Sequence, residues 1–341
     1  MNPSVKRQGG FILAEAIILV LVGVVLVAAL ALTASESRRQ ASLGDNLANL
    51  KLFAAATGAY AADSNDRLWS FSWRGGVVNH PDFPLAPTDL DAAAQQAWHI
   101  LRTRSGRPDW FGLIPPPNWV PHILYSPLVI LDYLDADLPA RAAAAPEDHT
   151  RLLWQSDPFE GFLALPSTLR PGGNDATARR WPFSSSYTLV PAAYSPDGGS
   201  EALTQQQNGA HNLWIVPPQP TLGGRAVADI AFPAQKVLLH EEFQRHFGPR
   251  VIWFGHRDAR VPLLLADGSA CVRATADANL GFQPTSPQNP GPLRIRYEPQ
   301  AWEPPALSDD NQDRLLITHY RFTRSGLRGR DFGGPEVPWT P

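Results

Sequence analysis

The chain has 341 residues, of which 44% are hydrophobic, which is enough to bury a sizeable core in one large domain or two smaller ones and excludes a disordered tail. Its 29 basic and 32 acidic residues are dispersed along the sequence and give a formal charge of -3, so no basic stripe indicates a nucleic-acid partner. Cys271 is the only cysteine, which excludes an internal disulfide and a multi-cysteine zinc site, and the 34 prolines argue against a purely helical fold.

The first predicted element is a helix that follows a short polar segment. Residues 1–10 end in two glycines, and an apolar run begins at Phe11. Residues 16–34 carry no charge, and at a rise of 1.5 Å per residue they reach roughly the 30 Å thickness of a hydrocarbon core. Because Lys6 and Arg7 precede this run, the sequence predicts a single transmembrane helix with a cytoplasmic N-terminus and an external C-terminal domain.

Glu15 distinguishes three interpretations of this segment: a cleaved secretory signal, a plain membrane anchor and a helix that assembles with its neighbours. A secretory apolar region is usually about 7–15 residues long, shorter than this one, although the Thr-Ala-Ser at 33–35 could serve as a cleavage site. A carboxylate inside hydrocarbon costs roughly 2.5–3.5 kcal/mol, so a plain anchor gains nothing from it. The acid therefore favours a helix in which a partner compensates the charge.

The segment GGFILAEAIILVLVG at positions 9–23 resembles the N-terminal processing and methylation motif of type IV pilins and type II secretion pseudopilins. The resemblance implies that prepilin peptidase cuts after Gly10 and that the new first residue, Phe11, is N-methylated. It also implies that the Glu15 carboxylate meets the Phe11 amino group of a neighbouring subunit, which neutralises two charges that would be costly alone in an apolar bundle. Ile12 departs from the small hydroxylic residue common at that position.

The resemblance also implies a fold, a location and partners. The implied fold is α+β and pilin-like, with a long N-terminal transmembrane helix packed on an antiparallel β-sheet and a large loop-rich C-terminal domain. Residues 1–10 are the expected leader, 11–62 the assembly helix and 63–341 the globular domain. The expected location is the bacterial inner membrane, with a periplasmic C-terminal domain, followed by assembly into a type II secretion or type IV pilus-like filament. The expected partners are prepilin peptidase, other pilin or pseudopilin subunits and the inner membrane.

The helix is predicted to continue beyond its apolar run, because leucines and alanines recur at three- and four-residue spacing over residues 43–54. It should end near Ala62, since the Asp-Ser-Asn-Asp at 63–66 has side chains that bond nearby backbone groups in turns. The same oxygens could bind calcium, but the run lacks the glycine and the glutamate of an EF-hand loop. A capping turn is therefore the expected role, and no cofactor is expected.

Strand signals concentrate in the second half of the chain and favour an antiparallel sheet. The predicted strands lie at 185–190, 236–240, 251–254, 261–266, 269–275, 293–297 and 315–322.

In the first half, residues 92–104 are predicted to form a helix entered from Thr88 or Asp89. Residues 68–180 contain scattered tryptophans among prolines, which we expect to be core and loop anchors rather than a ligand stack.

The clearest local unit is the hairpin VPLLLADGSACVRA, in which two strand-like runs flank Asp267 and Gly268. That pair suits a two-residue type I′ turn, which needs positive φ at both positions. His256 lies upstream, so this region resembles the His-x9-Asp-Gly signature of one set of pseudopilin-like proteins, although ten residues intervene here. Residues 152–158 and 320–332 also resemble segments of that set.

No catalytic constellation is supported by spacing. His240 and His246 stand near Glu241 and Glu242, but a zinc helix needs histidines four apart on one face, and these are six apart. A hydrogen bond between His256 and the hairpin aspartate is expected to be structural rather than catalytic. We therefore expect a structural protein and no enzyme. The alternatives are an anchored external binding module, for example for carbohydrate, and an anchored hydrolase with a site of dispersed residues.

Overall fold

A computed structural model of the chain describes residues 13–173 and 175–339. These residues form an α+β fold in which one long helix, several short helices and small antiparallel sheets are joined by long irregular segments. The helices are α1 (Leu13–Asp63), α2 (Asp89–Arg104), α3 (Pro108–Phe111), α4 (His149–Ser156), α5 (Glu160–Ala164), α6 (Ala176–Arg179) and α7 (Asn311–Arg314).

The strands are short, and each predicted strand segment contains one. They are β1 (Tyr187–Leu189), β2 (Thr204–Gln205), β3 (Trp214–Ile215), β4 (Val237–Glu241), β5 (Phe243–Gln244), β6 (Ile252–Trp253), β7 (Arg260–Leu265), β8 (Ala270–Ala274), β9 (Arg294–Arg296) and β10 (Leu315–Ile317).

The main sheet has the order β1-β4-β7-β8, with every neighbouring pair antiparallel. Its two central strands are buried almost throughout, which explains their nearly continuous runs of Val and Leu. Three two-stranded antiparallel ladders, β2-β3, β5-β6 and β9-β10, form separate small sheets. The last predicted strand is shorter than expected, because residues 319–322 turn into a 3-10 helix after β10.

The C-terminal half of α1 packs on β7 and β8. Its buried stripe consists of Asn46, Leu50, Phe53 and Ala56, spaced three or four residues apart as one helix face requires. The ring of Phe53 lies edge-on to Tyr187, with 5.7 Å between ring centroids, so this face enters the centre of the main core. Aromatic pairs of this geometry stabilise a core by roughly 0.5–1.5 kcal/mol beyond the area that they bury.

The prediction that the N-terminal half of α1 is a transmembrane helix, and that the chain makes a single pass through the inner membrane, is wrong. No helix within residues 13–173 or 175–339 combines the length and the hydropathy needed to cross a bilayer. Over the ranges that the structure describes, the fold is α+β, and none of its helices meets these two requirements.

Helix α2 begins where the sequence predicts. Thr88 is its N-cap: the Thr88 hydroxyl accepts a hydrogen bond from the Asp91 backbone N–H, and the Asp91 carboxylate accepts one from the Thr88 backbone N–H. This reciprocal capping box satisfies two backbone donors that would otherwise lack partners. The predicted helix and its capping residue are thus confirmed.

Candidate functional site

The N-terminal half of α1 carries an apolar surface that no other part of the described chain covers. Every residue from 16 to 27 is exposed, and Val24, Val25 and Val27 expose 60%, 67% and 68% of their surface. An exposed contiguous apolar surface of this kind is rare on a monomeric soluble protein and marks an interaction site. We call residues 16–27 the apolar segment.

A buried polar network fixes the other half of α1 to the sheet. The side-chain amide of Asn46 donates to Glu241 Oε2 at 2.8 Å and lies 2.6 Å from His246 Nε2. The Tyr187 hydroxyl donates to Asn46 Oδ1 at 2.7 Å. Since buried polar groups are costly unless they are hydrogen-bonded, these mutual contacts select one axial and rotational position for the helix on the sheet.

The network continues as a chain of buried charges. Arg245 bridges two carboxylates, with Nη1 at 2.5 Å from Glu241 Oε1 and Nη2 at 2.8 Å from Asp148 Oδ2. Burial would raise the pKa of Asp148, but the guanidinium groups of Arg245 and Arg151 lower it to about 2. For Glu241 the balance is reversed: burial raises its pKa to about 7 despite the contact with Arg245. Glu241 therefore titrates near neutral pH beneath the helix.

The structure leaves the predicted processing residues untested. Gly10 and Phe11 lie outside the described residues, as does the leader at 1–10. Glu15 lies within α1, but its side chain is not among those described. The predicted contact between Glu15 and the amino group of Phe11 therefore stays a prediction.

His256 does not form the predicted hydrogen bond with Asp267 of the hairpin. The ring of His256 contacts Asp313, with 3.1 Å between Nε2 and Oδ1, whereas the Asp267 carboxylate accepts hydrogen bonds from the backbone and hydroxyl of Ser269. The hairpin β7-β8 turns through residues 266–268, and of these Gly268 alone has a positive φ, 86°. The turn is thus a three-residue connection rather than the type I′ turn predicted from the sequence.

The polar side chains of the turn after α1 form hydrogen bonds with segments that are distant in sequence. Asp63 Oδ2 accepts a hydrogen bond from the Tyr133 hydroxyl at 3.1 Å, and Asp66 Oδ2 accepts one from the Ala228 backbone N–H at 3.1 Å. Within the ranges that the structure covers, no group of three or more His, Cys, Asp or Glu side chains could hold a metal ion. His240 and Glu241 belong to a strand, so the helical zinc arrangement considered above does not arise.

A cleft of about 580 Å³ opens on the globular domain, a volume typical of a small-molecule site. None of its lining residues comes from α1. Its walls come from distant segments of the chain and are formed largely by the aromatic residues Trp119, Tyr125, Trp181, Trp214, Phe243 and Trp302. The tryptophans were predicted to be core and loop anchors, and the cleft was not predicted from the sequence. The clustering of tryptophan around residues 110–120 and 181 was the available signal.

The acids and the histidine of the cleft are already engaged in contacts within the protein. The Nε2 atom of His211 lies 3.3 Å from Glu303 Oε1, and its Nδ1 atom accepts a hydrogen bond from the Glu298 backbone N–H. Glu242 accepts hydrogen bonds from Trp253, Thr188 and Arg321, and its pKa falls to about 2 because Arg321 outweighs the effect of burial. These contacts hold the side chains in the walls of the cleft.

Comparisons of the chain with protein-family models, with curated proteins and with solved structures gave no match.

Proposed function

We propose that this chain is a structural subunit of a type II secretion or type IV pilus-like filament, cut after Gly10 by prepilin peptidase and assembled through α1. The observation that carries the proposal is the apolar segment at residues 16–27, uncovered on a helix whose other half is fixed in the domain. The resemblance of residues 9–23 to the processing motif of pilins and pseudopilins supports the same conclusion independently.

Burial against neighbouring copies would stabilise the assembly. Fully covering a Val, Leu or Ile side chain contributes about 1.5–3 kcal/mol, so a few such residues on each helix suffice to offset a substantial part of the entropy lost on association. The same helix in every subunit would pack against its neighbours, and a head-to-tail contact of this kind propagates helically instead of closing. A filament with the helices in its core and the globular domains outward buries the apolar side chains and repeats the same head-to-tail contact at every subunit.

The buried network suits this role mechanically. Asn46 is fully buried between α1 and the sheet and bonds to Glu241 and Tyr187. A load applied along the helix would therefore pass into the main sheet through hydrogen bonds as well as through apolar contacts. In the assembled state the Glu15 carboxylate would meet the Phe11 amino group of the next subunit, which would set the axial spacing.

Processing is tested by intact mass and N-terminal sequencing of the chain from hosts that carry or lack prepilin peptidase. We expect a start at N-methylated Phe11 in the first host, and a Met1 start both in the second host and for Gly10→Ala. A Met1 start of the unsubstituted chain with the peptidase present, or a start near Ser35, would contradict the proposal.

A further inference from the structure

The cleft on the globular domain combines three features that the proposed filament function does not use. It has aromatic walls and, among the residues that the structure describes, a guanidinium without a carboxylate partner and side-chain amides without hydrogen bonds at its mouth. Because its lining contains no residue of α1, a ligand could occupy it without touching the apolar segment.

The aromatic walls are held rigidly and offer ring surfaces to the cleft. Trp181 and Trp302 lie edge to face at 5.1 Å between centroids, and both also contact the fully buried Trp154. Trp181 and Trp302 are half-buried, so part of each indole faces the cleft while the rest is packed. Fixed, partly exposed indoles supply a large contact area at little cost in conformational entropy.

Arg180 supplies a charge that no acid in the described part of the chain compensates. Its guanidinium lies 5.4 Å from the ring centroid of Trp119 and 5.3 Å from that of Trp181, so the indoles hold it in place. One Nη donates to the backbone oxygen of Thr177, and Arg180 forms no ion pair with any residue that the structure describes. The other two arginines of the cleft differ in this respect, since Arg151 pairs with Asp148 and Arg321 with Glu242.

The mouth of the cleft carries amides that are free to bond. Asn118 and Asn212 are exposed and make no side-chain hydrogen bond with any residue that the structure describes. Each amide offers two donors and one acceptor, which matches the hydroxyl groups of a sugar. A purely apolar ligand would leave these groups unused.

We infer that the cleft binds an acidic saccharide, with its pyranose rings on the indole walls, its carboxylate on Arg180 and its hydroxyls on Asn118 and Asn212. The less polar face of a pyranose ring fits a flat aromatic surface, and a guanidinium binds a carboxylate with good geometry. With Glu242 and His211 held by contacts within the protein, the site is suited to binding the saccharide rather than to cleaving it.

The test is isothermal titration of the full-length chain with digalacturonate and with its dimethyl ester, in which the same sugar has lost its charge. We expect the acid to bind at least tenfold more tightly than the ester and its affinity to fall with added salt, because a charged contact is screened. Equal binding of the two sugars, or no binding of either, would overturn the inference.

Substitutions at the cleft provide matched controls. Arg180→Gln should weaken digalacturonate binding at least tenfold, Arg180→Lys should restore part of the loss, and Asn212→Ala, at an exposed position, should weaken binding severalfold without affecting the fold. Arg257→Gln removes an arginine whose side chain is 85% exposed and that does not line the cleft, so it should leave the affinity unchanged. Unchanged binding in both Arg180→Gln and Asn212→Ala would show that the saccharide binds elsewhere and refute the inference.

Discussion

Replacing Val24 by glutamate is expected to abolish filament assembly while leaving the globular domain folded. Val24 lies in the apolar segment and exposes 60% of its surface, so the new carboxylate meets water in the free subunit and costs little there. In an assembled bundle of apolar helices the same carboxylate would lose its water without gaining a partner, at a cost of several kcal/mol per subunit. Because every subunit contributes this cost, the polymer should not form.

The matched control is Val78→Glu, the same change at a valine of the globular domain that exposes 63% of its surface. We expect sedimentable filaments from the wild type and from Val78→Glu, and soluble subunits from Val24→Glu with an unchanged circular dichroism spectrum. Filaments of normal yield from Val24→Glu would show that the apolar segment is not the assembly surface.

Glu241→Gln is expected to change how stability depends on pH. The pKa of Glu241 is about 7 in the folded chain, against an ordinary value of 4.5. Between these values the folded chain keeps a proton that the unfolded chain has lost, so this group lowers the free energy of unfolding as pH rises from 4.5 to 7. The wild type should therefore lose on the order of 3 kcal/mol relative to the glutamine variant across this window.

The wild type has to be compared with the variant because a buried histidine changes the free energy of unfolding with pH in the direction opposite to Glu241. Burial lowers the pKa of His246 to about 4, which makes the wild type gain stability as pH rises toward 6.5. Both proteins retain His246, whose Nε2 lies 3.8 Å from Glu241 Oε2. The difference between their urea unfolding curves therefore reports the titration of Glu241 together with its coupling to His246.

Tyr187→Phe, which removes one hydrogen bond of the network and keeps the Glu241 carboxyl, is the control. It should lower stability by a similar amount at every pH. If the free energies of unfolding of Glu241→Gln and the wild type differed by a constant amount from pH 4.5 to 8, the raised pKa of Glu241 would be contradicted.

Local patterns predicted much of the fold. The cap at Thr88 and the strand positions of the main sheet follow from spacing, and these elements depend on interactions within a few residues. The type of turn at Gly268 did not follow, because one dipeptide is compatible with both two- and three-residue connections and the sheet register decides between them. Asn46 would not have been recognised as buried, since its burial depends on Glu241 and Tyr187, far away in sequence.

The membrane prediction rested on the uncharged run at residues 16–34 and on Lys6 and Arg7 before it. It was wrong, because no helix among the described residues combines the length and the hydropathy needed to span a bilayer. An unbroken apolar run is equally expected of a helix that packs against other apolar helices, and the sequence alone does not distinguish the two environments. The cleft was missed for a different reason. Trp119, Arg180 and Asn212 are separated by many residues, and only the tertiary structure brings them together.

The most direct test of assembly through α1 is cysteine cross-linking within filaments. Cys271→Ser removes the only native cysteine, and Val25→Cys then places one thiol on the apolar segment, where the native side chain is 67% exposed. Val78→Cys in the same background is the matched control. We expect oxidation of native filaments to link Val25→Cys subunits to each other and to leave Val78→Cys subunits uncrosslinked. Monomeric Val25→Cys in intact filaments, or equal cross-linking at both positions, would contradict assembly through α1.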